Sequence, residues 1–461
     1  MTTAGKQVGW RLVTADDTSE TYAQAGQLTA VTTRAGLTTR LAYNPTGQLT
    51  TVTGPFGDKL SFVNDASGRV VTMTVPDGGV FAYAYDANDN LVSVTHPDKS
   101  VRKYVYGDAA FPHALTEIVD EDGNAYASWT YDSAGRAVTS QHAGGVDLTT
   151  VAYGTGTSSV TDADKNTHSY TLETQFDLVK PTALSGAPYP AAGGKAFTYD
   201  ANGFVASRTD FNGNVTTYTH DARGDETSRT EAAGTALART ITTAWLAAFH
   251  LPATITEPGR VTSFAYDAHG NLLKKTVAAG SLTRSWAYTY NAAGQVLTMT
   301  DPLGHVTAYT YDATGDVATV KDALGHVTTF TGYDLDGRPT SFTDPNGLVA
   351  KLTYNFRGEP TSRTVGGEVT TYAYDLAGQL RKTTRPDGSY LLYAYDAAHR
   401  LVQVTDAAGN QIVYTHDPAS NLLAVRFYDP SGTRRQTHFT STIWRTASPR
   451  RSATTQFVLP C

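Results

Sequence analysis

Several groups of side chains have the types and spacing for chemistry. Asp162-Ala-Asp164-Lys-Asn166-Thr-His168, with Glu173 in the twelfth place, presents oxygen donors in the order of a helix-loop-helix calcium site. Such a loop bends sharply at a sixth-position glycine, and here that residue is Thr167. The flanks Ser-Ser-Val-Thr and Ser-Tyr-Thr-Leu read as strands, so the segment is expected to be a turn and not a metal site. Asp120-Glu121-Asp122-Gly123-Asn124 gathers carboxylates that could hold a cation or serve as an acid and base pair. It too has the composition of a turn, and a solvated turn is the expectation.

His305 and His326 occupy one slot of a repeat and fall roughly 10 Å apart on alternate strands, too far for a shared zinc ion. The only cysteine, Cys461, permits neither an intrachain disulfide nor a cysteine-based zinc site. No Gly-x-Ser-x-Gly elbow, phosphate-binding Gly-Lys-Ser/Thr loop or His-Glu-x-x-His motif occurs. The expectation is therefore no catalytic, cofactor-binding or metal-binding residues, and no enzyme.

The elements that would position side chains are written more strongly than any site. The 461 residues include 41 Gly, 19 Pro and 27 Tyr with 17% charged residues, which suits short strands joined by tight turns. A net charge of -7 offers no general attraction to nucleic acid or anionic membrane. No stretch approaches the ~20 apolar residues of a membrane-spanning helix, and the N-terminus lacks the apolar run of a signal peptide.

Tyr-Asp pairs recur at Tyr85-Asp86, Tyr131-Asp132, Tyr199-Asp200, Tyr266-Asp267, Tyr311-Asp312, Tyr333-Asp334, Tyr374-Asp375 and Tyr395-Asp396. Tyr-Asn fills the slot at Tyr43, Tyr290 and Tyr354, and weaker copies stand at Tyr22, Asn64, Tyr106, Tyr153, His220 and His416. Most steps are about 21 residues, a tandem repeat period. Two longer gaps, near 154–198 and 222–265, are each expected to hold about two degenerate copies. Within one copy, Thr307, Tyr309 and Tyr311 alternate with Val306, Ala308 and Thr310, the period of a strand. Asp312-Ala-Thr-Gly315 then has the chemistry of a type I turn followed by a residue at positive φ. A second turn per period, as in Asp301-Pro-Leu-Gly304 or Asp344-Pro-Asn-Gly347, makes each repeat one β-hairpin. Paired aromatics such as Tyr83/Tyr85, Phe264/Tyr266 and Tyr393/Tyr395 should line one face of a continuous sheet.

Tyr-x-Tyr-Asp-x-x-Gly-x-Leu followed by Asp-Pro-x-Gly resembles the YD repeats of bacterial RHS proteins and animal teneurins, over roughly residues 10–440. The resemblance implies an all-β fold: tandem antiparallel hairpins in a long spiralling sheet, part of a hollow shell. In polymorphic-toxin systems of this family the shell encloses a C-terminal toxin or effector domain, so the implied partner is a protein cargo. The implied setting is secreted, cell-surface or injected. The family's Asp-rich self-cleavage segment and following toxin have no counterpart in this sequence.

One array is thus expected over 1–440, followed by a non-repeat tail, 441–461. There Ile443-Trp444-Arg445 stands where the period calls for Tyr-Asp, and an alternative frame can encode Tyr-Asp-Leu-Ala-Asp-Arg-Leu-Ala, so a frameshift near residue 440 is expected to have truncated a longer array. Arg434, Arg435, Arg445, Arg450 and Arg451 then read as a solvated or accidental basic end, not a nucleic-acid site. A second functional reading is a surface adhesion or carbohydrate-binding module with rows of Tyr as sugar platforms. A β-propeller of two-hairpin blades is disfavoured, because odd and even copies do not alternate.

Overall fold

The computed structural model describes residues 2–3, 6–186 and 193–439. The tail 441–461, and with it the frameshift reading, lies outside the described residues. From Gly9–Val13 to Arg434–Phe439, forty strands form one antiparallel ladder in which each strand pairs with its predecessor and successor. The first of these strands pairs only with Ser19–Ala23 and the last only with Leu422–Tyr428. The ladder therefore does not close on itself as a barrel.

Each period is one hairpin, for the reasons the turn residues supply. Tyr311 ends the strand Val306–Tyr311, and Asp312 opens the reversal. The Asp312 N–H donates to the Asp316 carbonyl at 2.9 Å and the Gly315 N–H to the Asp312 carbonyl at 3.2 Å. Gly315 sits at φ +83°, a conformation that costs an L side chain about 1–2 kcal/mol. One Asp312 carboxylate oxygen accepts the backbone N–H groups of Thr314 and Asp316, both at 2.9 Å. The Asp-Pro corners close in the same way, as at Asp301–His305.

The two corners nevertheless differ. Beside Tyr311 the pairing register shifts by one residue, whereas Thr300–Val306 pairs without a shift. The same irregularity recurs beside Tyr43, Tyr85, Tyr131, Tyr199, Tyr266, Tyr290, Tyr354, Tyr374 and Tyr395. A bulge bends its strand and increases local twist. Repeated at one corner of successive hairpins, it contributes to coiling the ribbon.

The degenerate stretches keep the count. Between Tyr153 and Tyr199 the missing corner is the tight turn joining Thr167–Gln175 to Leu178–Gly186. Between His220 and Tyr266 it is Trp245, whose indole N–H donates to the Glu226 carbonyl at 2.9 Å.

The sheet has two unlike faces. One carries the half-buried aromatics. On the other, hydroxyls pair across strands, as in Thr289–Thr298, Thr310–Thr319 and Thr130–Thr139 at 2.6–2.7 Å. Among the described residues only Ala127, Val146, Ile241, Ala350 and Ala424 are fully buried apolar side chains. The chain exposes 27056 Å², against roughly 17,000 Å² for a compact globule of this mass. The described residues form a wall one sheet thick, without a central core.

Candidate functional site: the seam between coils

The signature tyrosines are fastened. Each of Tyr85, Tyr131, Tyr199, Tyr266, Tyr311, Tyr333, Tyr374 and Tyr395 is the last residue of its strand, and Asp86, Asp132, Asp200, Asp267, Asp312, Asp334, Asp375 and Asp396 each open a turn. The Tyr311 hydroxyl donates to the Val296 carbonyl at 2.8 Å, and Tyr333 to that of Val317 at 2.6 Å. Tyr43, Tyr85, Tyr106, Tyr131, Tyr153, Tyr199, Tyr266, Tyr290, Tyr354 and Tyr374 make the same bond to the preceding hairpin. In most of these bonds the accepting residue is, as in Val296 and Val317, the one that pairs with the residue in the previous anchor slot. Phe would fill the same space but leave that carbonyl without its donor, which explains why the slot favours Tyr. Asn64 does the same work through its amide, donating to the Leu49 carbonyl at 2.8 Å. Arg69, Arg136 and Arg338 add a lateral tie: each pairs with its own turn Asp and lies over the next anchor ring.

The ribbon then meets itself. His250 hydrogen-bonds Asp17 through both its backbone N–H and its Nδ1. Ala35 touches the place where a side chain on Gly294 would begin, and Phe56 covers Gly315 in the same way. Further along, Arg338 Nη2 lies 4.0 Å from Asp77, Arg357 bonds Glu121, His399 bonds Asp120, and Asn421 bonds Asp164. In every case an Asp-Pro-type corner from residues 14–166 meets a Tyr-Asp-type corner from residues 245–421. The partners advance together along the chain, about 255 residues apart, so two successive coils are stacked rim to rim.

The middle of this seam is the segment Asp120-Glu121-Asp122. The expectation of a solvated turn is overturned: Asp120 is 1% exposed and Glu121 6%. The reason lies in the coiling, which brings the second coil down onto the turn. Glu121 receives Arg102 and Arg357, each at 3.1 Å. His96 Nε2 lies 2.9 Å from Glu121, outside hydrogen-bonding geometry, with its ring edge against Phe81 and tilted against Phe356. Asp120 accepts from His399 at 2.9 Å, and the His399 ring stacks on Tyr126 of the first coil. Asp122 accepts the Leu376 N–H at 3.3 Å.

Charge is handled locally. Burial alone would raise Asp120, but hydrogen bonds from His399 and Asn124 outweigh it and its carboxyl sits below the usual range. Glu121 behaves alike: burial raises it, and its own backbone N–H, Arg102 and Arg357 pull it below. Burial, then Arg357, holds His96 below an ordinary imidazole. Two carboxyls go the other way: burial and then Asp77 across the seam raise Asp336, and burial, helped by Asp122 of the first coil, raises Asp375.

As for the other expected groups, Asp162–Asn166 is a turn with Lys165 at φ +68°, and Asp164 is bonded across the seam to Asn421. His305 and His326 are exposed, each against its own turn Asp. Among the described residues no group of three or more His, Cys, Asp or Glu has an arrangement fit for a metal ion, and no helix is long and apolar enough to cross a membrane. The seam chemistry is that of fastening.

Comparison with known proteins agrees with this architecture. A family model described as Teneurin YD-shell matches residues 260–439, and one described as RHS Repeat matches 24–59, 65–109 and 199–236. The chain belongs to the RHS/YD-repeat family. Among solved structures, this RHS/YD array is similar to TcdB2-TccC3 without its hypervariable C-terminal region, at 12% identity and TM-score 0.60, covering 91% of this chain and 26% of that one. TcdB2-TccC3-TEV aligns at 13% identity and TM-score 0.58 with the same coverages. These likenesses show a shared shell fold, and the present chain spans about a quarter of the length of those it matches. No curated protein matches it.

The sequence marks the anchors and the Asp120-Glu121-Asp122 cluster, but not the seam residues Asp17, His250, Arg357 and His399. The signal that could have found them is the phase of the repeat. An offset of 233 to 279 residues between paired corners follows once the strands per coil are known.

Proposed function

We propose that this chain is a segment of shell wall that encloses and carries a protein cargo, a toxin or effector domain, and acts by exclusion without catalysis. The observation that carries this reading is the sealed seam. Two coils of a single-layer sheet are joined corner to corner through buried ion pairs, which is how a ribbon becomes a continuous barrier and not an open strip. The solved relative's C-terminal region is named hypervariable, in keeping with a constant wall around an exchangeable content. The unbroken repeat supports treating residues 1–440 as one array.

The test joins a small protease-labile reporter domain to the C-terminus of the full chain. Under this reading the reporter is cut at least tenfold more slowly than when free, and opening the seam with Glu121→Ala restores cleavage. Equal cleavage rates in all three would overturn it. The carbohydrate-binding reading loses support because the anchor hydroxyls are spent on backbone carbonyls. Retention on a glycan array, lost on substituting the exposed Trp10, would favour that reading instead.

A further inference from the structure

The seam joins two rims of the ribbon, and among the described residues it leaves two more rims of the same kinds unjoined. The first coil's Asp-Pro corners are covered by the second coil's Tyr-Asp corners. The second coil's own Asp-Pro corners, among them Asp301–Gly304 and Asp322–Gly325, meet no further coil among the described residues.

What these free corners carry is specific. At two successive seam corners the third residue of the lower corner makes the contact: Ala35 in Thr33-Arg-Ala-Gly36 against Gly294, and Phe56 in Gly54-Pro-Phe-Gly57 against Gly315. Phe56 is 36% exposed there. At two successive corners of the free rim the third residues are Leu303 and Leu324, and both are 81% exposed. Two leucines raised on turn tips, in the slot that elsewhere docks onto a turn glycine, are a knob without its seat. The pitch agrees as well, because Ala35 and Phe56, Gly294 and Gly315, and Leu303 and Leu324 are each one repeat of 21 residues apart.

The complementary surface is on the molecule too. The first coil's Tyr-Asp rim presents Asn44-Pro-Thr-Gly47 and Asp65-Ala-Ser-Gly68, again one repeat apart, with Gly47 at φ +84° and Gly68 at φ +86°. These turns have the hydrogen bonding of the Gly294 and Gly315 turns that receive Ala35 and Phe56.

We infer that the second coil's Asp-Pro rim is a docking surface for the first coil's Tyr-Asp rim of a second copy of this chain, with Leu303 and Leu324 taking the places of Ala35 and Phe56. The occupant follows from continuity with the seam, since the surface to be covered and the surface that covers it are those already joined once in the molecule. Because the two rims are different patches, the contact is head-to-tail and does not close at a dimer. It adds coils end on end, whether or not the wall encloses a cargo.

The test is sedimentation velocity on the full chain over rising concentration, up to on the order of 0.1 mM. The wild type is expected to grow in mass beyond a dimer. Leu303→Asp/Leu324→Asp is expected to weaken association at least tenfold, with an unchanged β-sheet circular dichroism spectrum because both side chains are solvent-exposed. A control, Trp10→Lys/Leu12→Lys, alters the free edge of the first ladder strand and is expected to associate as the wild type does. A wild type that stays monomeric overturns the inference. So does association that survives the leucine changes and is lost in the edge variant, which would assign it to strand pairing at the sheet edge.

Discussion

Two corners of the same repeat slot meet opposite fates. Asp120-Glu-Asp-Gly-Asn124 and Asp322-Ala-Leu-Gly-His326 share a turn in which the first Asp accepts the backbone N–H of the fifth residue. The first is buried under the second coil and carries a carboxylate held by two arginines; the second stands free with its leucine in water. Turn chemistry is thus common property of the array, whereas burial is assigned by where the coil returns. A residue's importance here depends less on its place in the repeat than on its place on the cylinder.

The comparison can be broken most forcefully at Glu121. Glu121→Gln leaves Arg102 and Arg357 facing a neutral group, and a loss of about 3 kcal/mol is expected, at the lower end for buried pairs because both arginines keep some water. The corresponding change on the free rim, Asp322→Asn, should cost only a small fraction of that, because the carboxylate is solvent-screened. Urea unfolding midpoints measure both, and equal losses would mean that the seam adds nothing.

A sharper contrast uses one substitution at two glycines. Gly315→Ala and Gly325→Ala both force an alanine to positive φ, at about 1–2 kcal/mol. At Gly315 the new methyl also meets the Phe56 ring, with contacts of 2.6–2.8 Å unless that ring moves, while at Gly325 the nearest atom is the Lys321 side chain at 4.0 Å. The excess loss at Gly315, read from thermal midpoints, isolates the seam's share.

Tyr311→Phe tests the lateral tie in place of the seam. It removes one hydroxyl from the Val296 carbonyl, for about 1 kcal/mol, and should be insensitive to changes at Glu121 in a double-mutant cycle.

The smallest effect is expected from pH. Asp120 and Glu121 titrate below their unfolded values, so the stability they contribute is fully present above the unfolded carboxyl range and is lost as pH falls through their folded values. Asp336 titrates above its unfolded value and has the opposite sign: its contribution is present in acid and is lost as pH rises through its folded value. Asp120→Asn should therefore flatten the acid limb of stability against pH, and Asp336→Asn should raise stability at neutral pH relative to acid. Parallel curves for wild type and both variants would contradict this.

Hairpins, corners and the continuous sheet were legible because they are local. Tyr311, Asp312 and Gly315 specify a strand end, an acceptor and a left-handed backbone within five residues. The anchor hydroxyl's partner was half legible: alternation placed the rings on one face of the sheet, but the bond to a carbonyl beside the previous bulge depends on register. The seam was not legible at all. Nothing near Asp120 announces His399, since their meeting depends on the summed twist and bend of more than twenty strands, each contributing a little. The solvated reading of Asp120–Asn124 failed for that reason.

The side-chain ties from most hairpins to the one before make the array a chain of nearest neighbours, in which one weak unit would ordinarily let the rest peel away. Stacking alters that arithmetic. A hairpin in the second coil is held sideways by its neighbours and from below by a stretch of polypeptide made some 255 residues earlier, so the contacts form a lattice on a cylinder instead of a line. Fraying from an end must then break both sets of contacts at once, and a single defective repeat is spanned by the coil beneath it.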